Sequence, residues 1–109
     1  MQLPKAMAGD NAISRTYEDA FAALYSPDVA QLKRTRALAM RAIRKQLEAL
    51  PGTQHQVAAQ LGIKQPRLNK ILRGEADAIS LDNLVLLAAR AGLRAEVVFK
   101  GAGRRRRAP

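Results

Sequence analysis

Residues 53–74 read TQHQVAAQLGIKQPRLNKILRG, and the stretch divides itself into two short helices and the turn between them. Thr53 followed three residues later by Gln56 is a capping-box pattern, in which a hydroxyl and an amide satisfy the free N–H groups at a helix start. Val57, Ala58 and Leu61 recur at helical spacing and give this helix an inner face. Gly62 then falls where a left-handed residue ends a helix after only about eight positions. Ile63 can fold back over that turn, and a second helix is expected to start near Gln65, with Pro66 tolerated in its first turn. Leu68, Ile71 and Leu72 point inward and Gly74 closes the segment. The result is two short helices joined by a turn of about three residues, the spacing of a helix-turn-helix unit.

Upstream, Ser26-Pro27-Asp28 reads as a helix start, with Ser26 as cap, Pro27 at the first helical position and Asp28 at the positive end of the dipole. The helix should run to about Leu50, because Pro51-Gly52 stops it. Leu32, Ala39, Met40, Ile43, Leu47 and Leu50 form its apolar seam, and Lys33, Arg34, Arg41, Arg44 and Lys45 decorate the rest as a basic face open to phosphates. A shorter helix is expected over 14–25, where Tyr17, Phe21 and Leu24 make a stripe suited to the domain's own core or to a partner protein.

Downstream, residues 75–79 read as a loop. Ser80 caps a further helix through Ala91, with Ile79 and Leu84 placed as a hydrophobic staple and Leu84, Leu87, Ala88 and Ala91 as its core face. After Gly92 the period changes to two: Leu93, Ala95, Val97 and Phe99 alternate with Arg94, Glu96, Val98 and Lys100. No second convincing strand is present in the sequence, so this strand is expected to pair with its own copy in a homodimer, through Ala95, Val97 and Phe99.

The expected architecture is all-α, a five-helix bundle with a short C-terminal β-strand. Its parts are a flexible N-terminus over 1–13, a short helix and connection over 14–28, the main domain over 29–100 and a disordered basic tail over 101–109, which holds Arg104 to Arg107.

Composition narrows the chemistry. The 109 residues carry 19 Lys plus Arg against 9 Asp plus Glu, a net charge of +10, which favours polyanionic partners. Between Lys33 and Arg73 the only acid is Glu48. With no cysteine and one histidine, His55, neither a disulfide framework nor a thiolate or imidazole metal cluster can be assembled, so no metal, no cofactor and no catalytic residues are expected. No apolar run approaches the roughly 20 residues needed to span a bilayer, and the N-terminus lacks an apolar signal core, so a soluble cytoplasmic protein is expected, with no membrane partner.

The 53–74 segment resembles the helix-turn-helix of the Cro/C1-type, or XRE, regulators: Thr53-Gln54 opens the first helix, Ala58 sits at its small-residue contact, Leu61-Gly62-Ile63 matches the turn and Gly74 the usual end. Residues 80–93 are similar to the family's next helix. With Gln65-Pro66-Arg67 and the long preceding helix, the pattern over roughly 30–99 is closest to the branch that includes HigA-like antitoxins and small autorepressors. One departure is Lys64, where the family often has Ser or Thr.

A helix of this length fits the major groove with its N-terminal side chains at base edges. Gln65, Arg67, Asn69 and Lys70 are the outward candidates for base contact: Gln65 or Asn69 to adenine, Arg67 or Lys70 to guanine. The resemblance further implies that Gln54 holds a phosphate and braces Gln65, while Lys64, Arg73 and Asn83 stand as backbone contacts. The function expected is a dimeric, sequence-specific DNA-binding regulator that represses its own promoter at an inverted repeat of double-stranded DNA; a second expectation, compatible with the first, is the antitoxin of a cognate toxin protein. The competing expectation is nonspecific binding of RNA or nucleoid DNA through charge alone.

Overall fold

The structure, a computed structural model, describes residues 4–101. Five α-helices and one 3₁₀ turn follow in order: α1 (Pro4–Leu24), α2 (Pro27–Ala49), α3 (Gln54–Leu61), α4 (Gln65–Leu72), the 3₁₀ turn (Ala76–Ala78) and α5 (Leu81–Arg90). The all-α reading therefore holds for the described residues. The basic run Arg104 to Arg107 lies outside them.

The core is one cluster. Met40, Ile43 and Leu47 from α2 meet Val57, Ala58 and Leu61 from α3, Leu68 and Ile71 from α4, and Leu84, Leu87 and Ala88 from α5. The short helices have buried faces because their apolar residues recur at three and four positions, so each helix gives the cluster one narrow stripe. Ile79 and Leu84, on either side of the Ser80 cap, are both buried in it as a staple.

Three details of the helices differ from the sequence-based expectation. First, α1 reaches back to Pro4 rather than beginning at Ser14, so the flexible segment expected over 1–13 is helical from Pro4 onward. Proline suits a first helical position, and an interior Gly9 lowers helix stability without forbidding it. Second, Ser26 is the N-cap residue of α2 but its side chain caps nothing. Its hydroxyl donates instead to Asp28 Oδ1 at 2.7 Å, and that carboxylate accepts the Val29 N–H at 2.8 Å. Third, Leu32 is 43% exposed while Ala37 is buried, because the core along α2 starts at Ala37.

The strand expected over 93–100 is not formed in the single chain. Only Leu93 packs against the core, and Val97 and Phe99 are 76% and 85% exposed. A lone strand has no neighbour to supply its ladder, so an isolated chain offers it nothing to pair with.

Polar ties fix the helices against one another. Gln46 Nε2 donates to the Ala91 carbonyl at 2.8 Å, joining α2 to the end of α5. Arg90 Nη1 donates to the Leu61 carbonyl at 2.9 Å and so occupies one of the free carbonyls at the end of α3.

Candidate nucleic-acid interface

The turn between α3 and α4 is held by backbone chemistry. The Thr53 side chain accepts the Gln56 N–H at 3.2 Å and the Gln56 side chain accepts the Thr53 N–H at 2.8 Å, the reciprocal pair of a capping box. At the far end Gly62 adopts φ +70°, a left-handed conformation that side chains disfavour. The Gly62 N–H then reaches the Ala59 carbonyl at 3.1 Å and the Ile63 N–H the Ala58 carbonyl at 3.0 Å. This is a Schellman arrangement, which sends the chain abruptly into α4 and drops Ile63 onto the core.

Lys64 is the N-cap of α4 and forms no side-chain cap, so the helix starts without the hydroxyl that Ser or Thr would bring. Leu68 and Ile71 anchor the helix in the core, which turns its other flank to solvent. Gln65, Arg67 and Lys70 are exposed there, and Asn69 is half-buried. Arg67 and Lys70 are three residues apart and therefore lie in one row, while Gln65 and Asn69, four apart, make the next row. Lys64, Arg67 and Lys70 converge on an open cleft of about 520 Å³ whose floor includes Gly62, Ile63 and Ile79. Three cations around one cleft, with no acid in its lining, give it a positive field.

The expected backbone contacts are distributed less evenly. Gln54 and Asn83 are exposed at the starts of α3 and α5. Gln54 lines a separate recess with Glu48 and Leu72. Arg73 is exposed but donates to Glu75 at 2.7 Å, an ion pair that a phosphate would have to displace.

The basic face of α2 is partly committed to the fold. Lys33 and Arg36, at 3.2 and 3.0 Å from Asp77 Oδ1, hold the 3₁₀ turn after α4 against α2. Lys33 also sits 5.1 Å from the Tyr25 ring centre, a cation–π distance. These positioning roles of Asp77 and Arg36 are not visible in the sequence, since their pairing spans 41 residues without a local pattern. Arg90 and Gln46 are likewise identified only by geometry.

Asp28, at the start of α2, is held below the ordinary carboxylate range by the Ser26 hydroxyl and then by the Val29 N–H. His55 is exposed. Among the described residues no group of three or more His, Cys, Asp or Glu is placed to hold a metal ion, and no helix is long and apolar enough to cross a membrane.

No curated protein and no solved structure matches the chain. A family model described as a helix-turn-helix domain does match, over residues 20–100, which takes in α2 to α5 and the segment that follows. With its capped α3, its left-handed turn at Gly62 and its basic α4, the chain belongs to the helix-turn-helix domain family.

Proposed function

We propose that the protein is a sequence-specific DNA-binding transcriptional regulator of the Cro/C1 type, acting as a dimer on an inverted repeat and repressing its own promoter by occupancy rather than catalysis. The observation that carries this reading is the division of α4 into a buried apolar stripe, Leu68 and Ile71, and a polar flank that presents Gln65, Arg67 and Lys70 beside a cationic cleft. A helix fixed in this way can lie in a major groove, with Gln65, Arg67, Asn69 and Lys70 at base edges. Lys64, Gln54 and Asn83 then meet phosphates, and Arg73 does so on leaving Glu75. Ala95, Val97 and Phe99 supply the dimer contact, and half-sites lie about one helical turn apart. On this reading the protein works in the cytoplasm.

A compatible second role is that of an antitoxin. Leu24, Val29 and Leu32 are exposed around the α1–α2 junction, an apolar surface that the chain itself leaves open to a partner such as a toxin.

The test is binding to the DNA upstream of the protein's own coding sequence and to a scrambled duplex, at about 0.15 M salt. Wild type should prefer the upstream duplex by about a thousand-fold or more. The variant combining Gln65→Ala, Asn69→Ala and Lys70→Ala should lose most of that preference. Equal affinities in all four combinations would instead show charge-driven nonspecific binding of nucleic acid.

A further inference from the structure

We infer that residues 95–101 of two copies pair as antiparallel strands about a two-fold axis at Val98, with Glu96 of each copy opposite Lys100 of the other. This rests on the dimer of the preceding reading and not on any contact with DNA.

Beyond Leu93, whose N–H is held by the Ala88 carbonyl at 2.8 Å, no backbone group through Gly101 hydrogen-bonds elsewhere in the described chain. The segment therefore presents an open ladder. Arg94 Nη2 lies 3.0 Å from Glu96 Oε2, so alternate residues share a side, as in a strand. One side carries Ala95, Val97 and Phe99, the other Arg94, Glu96, Val98 and Lys100.

In a two-fold antiparallel pair, facing residues lie on the same side of the ribbon. The axis must then pass through a residue, because an axis between residues would set residues of the apolar side opposite charged ones, for example Phe99 opposite Glu96 for an axis between Val97 and Val98, and so mix the two sides. An axis at Glu96 opposes the two glutamates, and one at Val97 opposes Arg94 to Lys100 twice; like charges directly opposite are destabilising. An axis at Ala95 pairs Arg94 with Glu96 but draws in Leu93, already packed and bonded in its own chain, and leaves Phe99 unpaired. An axis at Phe99 leaves Glu96 and Ala95 without described partners. The axis at Val98 alone gives two Glu96–Lys100 pairs and two Val97–Phe99 pairs while using only residues exposed in the single chain.

The natural chain has no cysteine, so single-cysteine variants of the full chain report the register cleanly. Facing residues at the axis stand about 4.5–5.5 Å apart between Cα atoms, within disulfide reach. Under mild oxidation without DNA, Val98→Cys should form a covalent dimer about ten-fold faster than Ala95→Cys, Glu96→Cys or Val97→Cys. Glu96→Lys and Lys100→Glu should each weaken dimerisation by about ten-fold, and the double swap should restore it. Preferential cross-linking at position 95, 96 or 97, or a Lys100→Glu chain that dimerises as wild type, would overturn the register. A monomeric mass at every working concentration would overturn the pairing altogether. Loss of operator preference with these cross-links intact would count against the DNA reading alone.

Discussion

Each helix of the α3–α4 unit is an amphipathic stretch of 8 residues, as long as the segment over 93–100, yet the two regions meet opposite fates. In the first, Val57, Leu61, Leu68 and Ile71 are buried and the helix ends are met by the Thr53 cap and the Gly62 turn. In the second, Val97 and Phe99 stand in solvent and the backbone has no ladder. The difference lies in what each period requires. A helix closes its hydrogen bonds within itself and needs neighbours only for its stripe, whereas a strand needs a second strand before it is a structure.

The sharpest way to break the contrast is to remove a core side chain from the helical unit. Leu61→Ala, at a position with no exposure, should lower unfolding free energy by about 2–5 kcal/mol in chemical denaturation. Gly62→Ala should cost about 1–2 kcal/mol through the left-handed backbone alone, because the added Cβ would meet only Arg90 Nη1, at an ordinary 3.6 Å. Thr53→Ala, which deletes half of the capping box, should cost about 1 kcal/mol by the same measurement. Phe99→Ala should change the stability of the monomer by less than about 0.5 kcal/mol, yet lower the dimer fraction in light scattering. A Phe99→Ala chain as destabilised as Leu61→Ala would erase the distinction between the two regions.

The smallest effect concerns the start of α2. Because the Asp28 pKa is lowered in the folded chain, its contribution to stability is present above the unfolded carboxylate pKa and is lost as pH falls through the lower folded value. Asp28→Asn should therefore be slightly less stable than wild type near neutral pH, and the gap in thermal midpoint should close on acidification.

Much of this was legible in residue order because the signals are local. The capping box at Thr53, the turn at Gly62, the Ser80 cap and the staple from Ile79 to Leu84 each occupy a few consecutive positions, and each is present as expected. The polar flank of α4 followed from the same short period, although Asn69 is half-buried where an outward residue was expected. What residue order concealed is either long-range or a choice between equivalent bonds. Asp77 reaches Lys33 and Arg36 across the fold, and Arg90 finds the Leu61 carbonyl, with no motif to announce either. At Ser26 the hydroxyl had two acceptable uses and took Asp28 over the backbone, a competition of side-chain hydrogen bonds that spacing does not settle. The helix before Ser14 was missed because its sequence has no sustained apolar stripe, the feature by which helices are recognised.

The central claim is that the solvent side of α4 is the surface that meets DNA, and amide chemical-shift mapping on the isotope-labelled chain tests it most directly. On titration with the upstream duplex at about 0.15 M salt, the largest changes should fall on residues 64–70, with smaller ones at Gln54, Arg73 and Asn83. Changes concentrated on α1 or on residues 93–100, with residues 64–70 unmoved, would contradict it.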